Sequence, residues 1–121
     1  MIRTHGLTHI SLRVADPDRS LRFYQQCFGV EEYYRDETSV QAKGRETMDI
    51  FVFDLAPERA GKRGGVDHFG FRLVDPADID HAVNTVVSAG GKLLRRGEFA
   101  PGYPYAYVED PDGYEIEIWF E

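Results

Sequence analysis

Two histidines in matched surroundings are the first residues of this chain with the makings of chemistry. His9 lies in GLTHISLRVADP, Gly6 to Pro17, and His68 in GVDHFGFRLVDP, Gly65 to Pro76. Gly6, His9, Arg13, Asp16 and Pro17 recur 59 residues later as Gly65, His68, Arg72, Asp75 and Pro76. Leu7, Ile10, Leu12 and Val14 recur as Val66, Phe69, Phe71 and Leu73. A constant offset of this kind marks an internal duplication. Both copies alternate with the period of a strand, so His9, Ser11 and Arg13 share one face and His68, Gly70 and Arg72 share its equivalent.

A carboxylate joins them by the same parity. Tyr114 to Phe120 alternates, with Tyr114, Ile116, Ile118 and Phe120 on one side and Glu115, Glu117 and Trp119 on the other. Laid against the first half with a four-residue insertion, it sets Phe51, Phe53, Asp54 and Leu55 against Tyr114, Ile116, Glu117 and Ile118, which makes Asp54 the mirror of Glu117. Two imidazoles with one or two carboxylates suit a divalent transition metal that keeps positions open for water or substrate. The set rests on symmetry and strand parity, without a linear ligand motif. Taken singly each residue has an ordinary explanation: duplication accounts for both histidines, and Glu117 and Asp54 are common types of strand carboxylate. Arg13 and Arg72 fall on the rim of the trough, while Tyr105, Tyr107 and Trp119 fall along its wall, although aromatic residues are frequent in any strand.

The elements that must position these groups follow from punctuation and periodicity. Asp16-Pro17 is a helix start, and Leu21, Tyr24 and Phe28, with Phe23 and Cys27 beside them, form an apolar stripe that Gly29 ends. Val30 to Asp36, Val40 to Lys43 and Met48 to Leu55 read as strands. Pro57 to Gly65, PERAGKRGG, has the composition of a linker. The second unit repeats the plan: Asp75-Pro76 starts a helix with Ile79, Val83 and Val86 on its stripe, and Gly90-Gly91 stops it. Lys92 to Arg96, Tyr103 to Glu109 and Tyr114 to Phe120 are then strands, the last two joined by Asp110-Pro111-Asp112-Gly113, a type I turn sequence. Each half reads β-α-β-β-β, with module 1 at about 1–57, a linker at about 58–64 and module 2 at about 65–121. The expected fold class is α+β, with Ile10, Leu12, Val14, Phe69, Phe71, Leu73, Ile116 and Ile118 beneath the helices.

Composition narrows the partners. A chain of 121 residues with 42% hydrophobic content, eight Phe and seven Tyr is expected to fold as one globular domain. No run approaches the ~18 apolar residues of a membrane span, and no signal-peptide core is present. The net charge of −7 argues against a nucleic-acid backbone as partner. The basic pairs Lys62-Arg63 and Arg95-Arg96 read as solvated loop or strand-end charges. The single cysteine, Cys27, excludes an internal disulfide and fits a reducing, cytoplasmic setting.

Across nearly its whole length the sequence resembles the vicinal oxygen chelate superfamily, which includes glyoxalase I, epimerases, fosfomycin-modifying transferases, extradiol dioxygenases and bleomycin resistance proteins. The residues carrying the resemblance are His9 in HISLRVAD, Ser20 to Tyr24 with Phe28-Gly29 after it, His68 in DHFGF, and Val108 to Glu117, VEDPDGYEIE. They are specific for the superfamily and not for one activity. The resemblance implies two tandem βαβββ modules that form a curved, incompletely closed mixed sheet around a metal, with helices on the outer face. It places His9, His68 and Glu117 on ligand positions of one divalent ion, drawn from Zn, Ni, Co, Mn or Fe, and brings Asp54 or Phe53 near the fourth, where glyoxalase-like members carry Glu. It also implies a homodimer whose sites combine residues of both subunits.

Three functions follow from that resemblance. The first is a metal-dependent lyase or isomerase of the glyoxalase type, acting on a small oxygen-chelating substrate through an enediolate, with Glu117 as ligand and proton-transfer base. The second is an extradiol-type Fe(II) dioxygenase, since two histidines and one carboxylate make a facial triad. The third is a metal-free protein that sequesters an antibiotic in the aromatic trough. Substrate contacts are expected from Arg13, Arg72, Tyr105, Tyr107 and Trp119.

Overall fold

The computed structural model describes residues Met1 to Glu121. The first strand, β1 (His9–Val14), runs into Asp16, whose side chain accepts from the backbone N–H groups of Asp18 and Arg19 and so caps α1 (Pro17–Phe28). Pro17 occupies the first turn, where its missing N–H costs nothing, and Gly29 ends the helix in the left-handed region at φ 65°. Strands β2 (Val30–Arg35), β3 (Ser39–Gly44) and β4 (Ile50–Leu55) complete the first unit. The second contains β5 (Phe69–Arg72), α2 (Ile79–Ser88), β6 (Lys92–Glu98), β7 (Pro104–Glu109) and β8 (Glu115–Trp119).

The strands form two four-stranded sheets in the orders β1-β4-β3-β2 and β5-β8-β7-β6. In each sheet the first and last strands of the unit pair in parallel, and the other pairs are antiparallel. The architecture is α+β with no closed barrel. Two local starts differ from the expected ones by more than one residue. Asp75 caps only Ala77 N–H, so Pro76–Asp78 is a 3-10 turn and the α-helix begins at Ile79. The fourth strand begins at Ile50 rather than at the exposed Met48.

Alternation puts the apolar faces of both sheets under the helices. Leu12, Val14, Phe51, Phe53, Val108, Ile116 and Ile118 are buried there with Phe23, Tyr24, Val83 and Val86 of the helices, and Ile10, Phe69, Phe71 and Leu73 are partly buried against them. The Tyr24 ring lies 4.8 Å from Phe51 and 5.1 Å from Phe53, each burial worth about 1.5–3 kcal/mol. Phe28 of α1 stacks on Phe71 of β5 at 3.7 Å, which joins the units through the core.

A polar clasp joins them as well. In the turn between β7 and β8, Gly113 N–H donates to the Asp110 carbonyl at 3.0 Å, as a type I turn requires. Its side chains reach across to the first unit: the Tyr24 hydroxyl donates to Asp110 at 3.0 Å, and Arg19 and Ala15 N–H donate to Asp112 at 2.8 and 3.1 Å. The Tyr114 hydroxyl donates to the Arg13 carbonyl at 2.7 Å. Burial pushes Asp110 up to about 6. Gly61 sits against this turn at φ 69°, where a Cβ would stand 2.0 Å from the Asp112 carbonyl oxygen, so no other residue fits.

Candidate metal centre

His68 enters at the start of β5, and Glu117 lies in the middle of β8, where Gly70 is its register partner. The two side chains meet, with His68 Nε2 3.2 Å from Glu117 Oε2. Two donors each ~2.1 Å from one divalent ion, at angles between square and tetrahedral, stand roughly 3.0–3.4 Å apart, so this spacing fits a shared cation. On its other edge the His68 ring is held through Nδ1, 2.7 Å from Asp67 Oδ2; this favours the proton on Nδ1, so the neutral ring would offer Nε2 as the donor atom to a metal. The Asp67 hydrogen bond, with help from Glu117, raises the His68 pKa above the ordinary histidine value.

Beneath this pair lies a carboxylate that sequence reading passed over. Glu115 is 6% exposed and takes Arg63 at 2.6 Å and Arg95 at 2.7 Å. Burial opposes its ionisation, but the hydrogen bonds from Arg95 and Arg63 win and hold it below the usual range. The Arg95 guanidinium also lies 3.9 Å over the Tyr107 ring, and that ring meets His68 edge-on at 5.1 Å. Arg63 and Arg95, expected as solvated charges, are therefore structural partners of the site. The signal was available: Glu115 has the parity of Glu117, and a buried carboxylate needs cations. Burial first, then Glu117, raises the Tyr107 hydroxyl, so it stays a proton donor at neutral pH. Burial also pushes the Cys27 thiol to about 12, which removes it as a nucleophile.

The remaining candidates are distributed. His9 is exposed on β1, opposite Ile50, and nowhere in the chain do three or more His, Cys, Asp or Glu side chains converge closely enough to hold a metal. Asp54 faces the trough, as its parity predicts, where it accepts from the Ser11 hydroxyl at 2.8 Å and lies 3.6 Å from Arg13. Its equivalence with Glu117 does not hold. Ser11 is the counterpart of Gly70; Ser11 pairs with Val52, whereas Gly70 pairs with Glu117. Val52 thus occupies the place of Glu117, and Asp54, opposite Arg13, occupies that of Trp119, opposite Arg72. The alignment had slipped by two residues, which preserves the face but moves a side chain roughly 6–7 Å along the strand. Phe53 is fully buried in the core and is no alternative. Arg72 donates to the Glu121 carbonyl and lies 5.5 Å from the Trp119 ring. Tyr105 packs 5.7 Å from Tyr107 and 4.6 Å from Phe99, so the trough wall is aromatic.

Comparison with known proteins identifies the family and the fold. A sequence model described as the Glyoxalase/Bleomycin resistance protein/Dioxygenase superfamily matches residues 6–118. The lactoylglutathione lyase of Haemophilus influenzae is 30% identical over 93% of this chain and 90% of its own length. A probable chloroplastic lactoylglutathione lyase of Arabidopsis thaliana is also 30% identical over 93% of this chain, but the match spans only 35% of that longer protein. The chain thus spans less than half the length of the plant relatives it matches. In fold it is similar to the fosfomycin resistance protein of Listeria monocytogenes, with a TM-score of 0.81 at 18% identity over 98% of this chain and 95% of that one. A structure of a mutant of that Listeria protein contains Mn(II) and 1S,2S-dihydroxypropylphosphonic acid. No helix is long and apolar enough to cross a membrane. On the duplicated strands, the sheet order and the match over residues 6–118, the chain belongs to the glyoxalase/bleomycin resistance protein/dioxygenase superfamily.

Proposed function

We propose that the protein is a metal-dependent lyase or isomerase of the glyoxalase type, whose site is completed in a homodimer. The observation that carries this is the His68–Glu117 pair, spaced at 3.2 Å for one cation, in a chain where no third donor joins it. His9 is exposed on the equivalent strand of the other module, and from a second copy it would supply the third ligand. The donor set is two imidazoles and one carboxylate, which suits a divalent ion with open positions for two substrate oxygens.

When bound, the ion would act as a Lewis acid on adjacent substrate oxygens and lower the cost of removing a proton from the neighbouring carbon. Glu117 is the proton acceptor of this chain. The Tyr107 hydroxyl beside it stays protonated and can donate to a substrate oxygen. Arg95 and Glu115 fix the Tyr107 ring from below, and Asp67 fixes His68 from the side. The aromatic wall of Tyr105, Tyr107 and Trp119 excludes water from that face of the substrate.

The test is complementation. His9→Ala and His68→Ala each lose metal binding; mixed and re-equilibrated, they regain one intact site per heterodimer, read by metal stoichiometry and by proton exchange into hydroxycarbonyl or hemithioacetal substrates. No recovery rejects the shared site. Val52 favours a second reading, because a site with one carboxylate is also the facial triad of Fe(II) dioxygenases. Oxygen-dependent catechol cleavage by the Fe(II) form, without proton exchange in the Ni, Co or Zn forms, would select it.

A further inference from the structure

The glycine-rich linker walls a crevice of about 500 Å³ that adjoins the candidate metal centre and whose Arg59 and Lys62 have no part in the metal reading. Residues 10–13 of β1 form one side and residues 66–69 the other, with Tyr114 and Glu115 at its end. Four of the chain's 14 lysines and arginines line it, namely Arg13, Arg59, Lys62 and Arg63, against only two of its 21 acidic residues, Asp67 and Glu115. In a chain of net charge −7 this is a local inversion of sign.

Two of these cations are already engaged: Arg13 faces Asp54, and Arg63 holds Glu115 and Asp67. Arg59 and Lys62 have no carboxylate partner and stand free at the crevice. The backbone beside them is free too. The N–H groups of Gly64, Gly65 and Val66 donate to no acceptor in the chain, and at the two glycines no side chain screens them. Unpaired cations next to successive unpaired N–H groups make a receptor for negative charge.

We infer that this crevice binds a compact anionic group of the phosphate, phosphonate or carboxylate type, held by Arg59, Lys62 and the N–H groups of residues 64–66. His68 and its Nδ1 partner Asp67 line the same crevice, so the anion sits close to the ring that meets Glu117. Such a group belongs either to the substrate or to a free anion acting as an effector, and the two sources are separable.

Orthophosphate is titrated into the ¹⁵N-labelled, metal-free full chain at physiological ionic strength. The expected result is saturable amide shifts at Gly64, Gly65 and Val66, weakened at least tenfold in an Arg59→Ala/Lys62→Ala double variant whose sheet resonances are unchanged, and restored by Arg59→Lys/Lys62→Arg. Shifts that grow without saturating, or that persist in the double variant, overturn the site. Mn(II) then distinguishes the sources, with Glu117→Ala as control for metal carried by phosphate itself. Broadening of the bound ³¹P resonance only in the native protein assigns the anion to the substrate; a sharp resonance with binding intact assigns it to an effector. If no Mn(II) binds, the metal reading fails while the titration still decides the crevice.

Discussion

In the first module the parallel pair β1–β4 sets Ser11 beside Val52; in the second, β5–β8 sets Gly70 beside Glu117. The strand order and the parallel pair are common to both. What differs is where each module spends its residues. Module 1 carries the fully buried Phe23, Tyr24 and Phe53, and its trough face has a histidine without a neighbouring carboxylate. Module 2 carries His68, Glu117, the buried Glu115 and Arg95, with Arg63 reaching Glu115 from the linker, and its first strand is only partly buried. The two copies thus differ most at the trough face of their parallel strands. A symmetric pair would carry a carboxylate at both register positions, whereas this one has Glu117 in the second module and Val52 in the first.

The comparison breaks most severely at the carboxylate. Glu117→Ala or His68→Ala should weaken divalent-metal affinity on the order of a thousandfold, about 4 kcal/mol, while Val52→Ala at the mirror position changes it less than ~3-fold. Isothermal titration against Mn(II), Co(II) and Zn(II) reads both. Equal losses at positions 52 and 117 would show that the modules contribute alike.

The next effect lies where the modules grip each other. Asp110 is pushed up to about 6 from an ordinary 3.8, so the folded state holds its proton more tightly than the unfolded chain. That contribution to stability is complete below about pH 4 and is lost as pH rises through about 6, a change of about 3 kcal/mol. Asp110→Asn keeps acceptors for Asp112 N–H and Tyr114 N–H and can bond the Tyr24 hydroxyl, without the charge. Denaturant midpoints of native and variant protein should therefore diverge between pH 4 and 6, with the variant the less pH-dependent. Parallel curves would mean that the turn is hydrated and the clasp loose.

Much of this was legible in the chain. The 59-residue echo exposed the duplication, and Asp16-Pro17 with Gly29 bounded α1 to the residue. Alternation assigned faces correctly for His68, Glu117, Asp54 and the core. It did not give position along the strand, because slipping the alignment by two residues leaves every face unchanged; Asp54 was matched to Glu117 for that reason, and Val52 was missed. The roles of Arg63 and Arg95 were hidden because they depend on one buried carboxylate, Glu115, contacted from a linker and from another strand. Sequence separation erases such a network, while a local cap survives it.

That register correction can be sharpened by adding what module 1 lacks. Val52→Glu places a carboxylate at the mirror of Glu117 and should tighten metal affinity by tens-fold, about 2 kcal/mol, and shift preference toward ions that take four protein ligands. Asp54→Ala, two residues further along, should leave affinity within ~3-fold while releasing Arg13 and the Ser11 hydroxyl. Should Asp54→Ala instead cost as much as His68→Ala, the fourth position would be Asp54 and the pairing argument wrong.

The smallest effect concerns Asp67, present beside His68 and absent beside His9, where Thr8 stands. Its carboxylate is 71% exposed, so Asp67→Ala should cost about tenfold in metal affinity, the low end for a residue that orients a ligand. Two consequences of its loss oppose each other. The hydrogen bond to Nδ1 aims Nε2 at the metal, and losing it weakens binding at every pH. The same bond raises the His68 pKa, and losing it reduces proton competition only where that imidazole titrates. The tenfold loss should therefore appear in full above the pH range in which that imidazole titrates and shrink within it. NMR titration of the metal-free variant should show the His68 midpoint falling toward its ordinary value. Affinity unchanged both within that pH range and above it, with that midpoint unmoved, would leave Asp67 a surface carboxylate and make the two histidines equivalent after all.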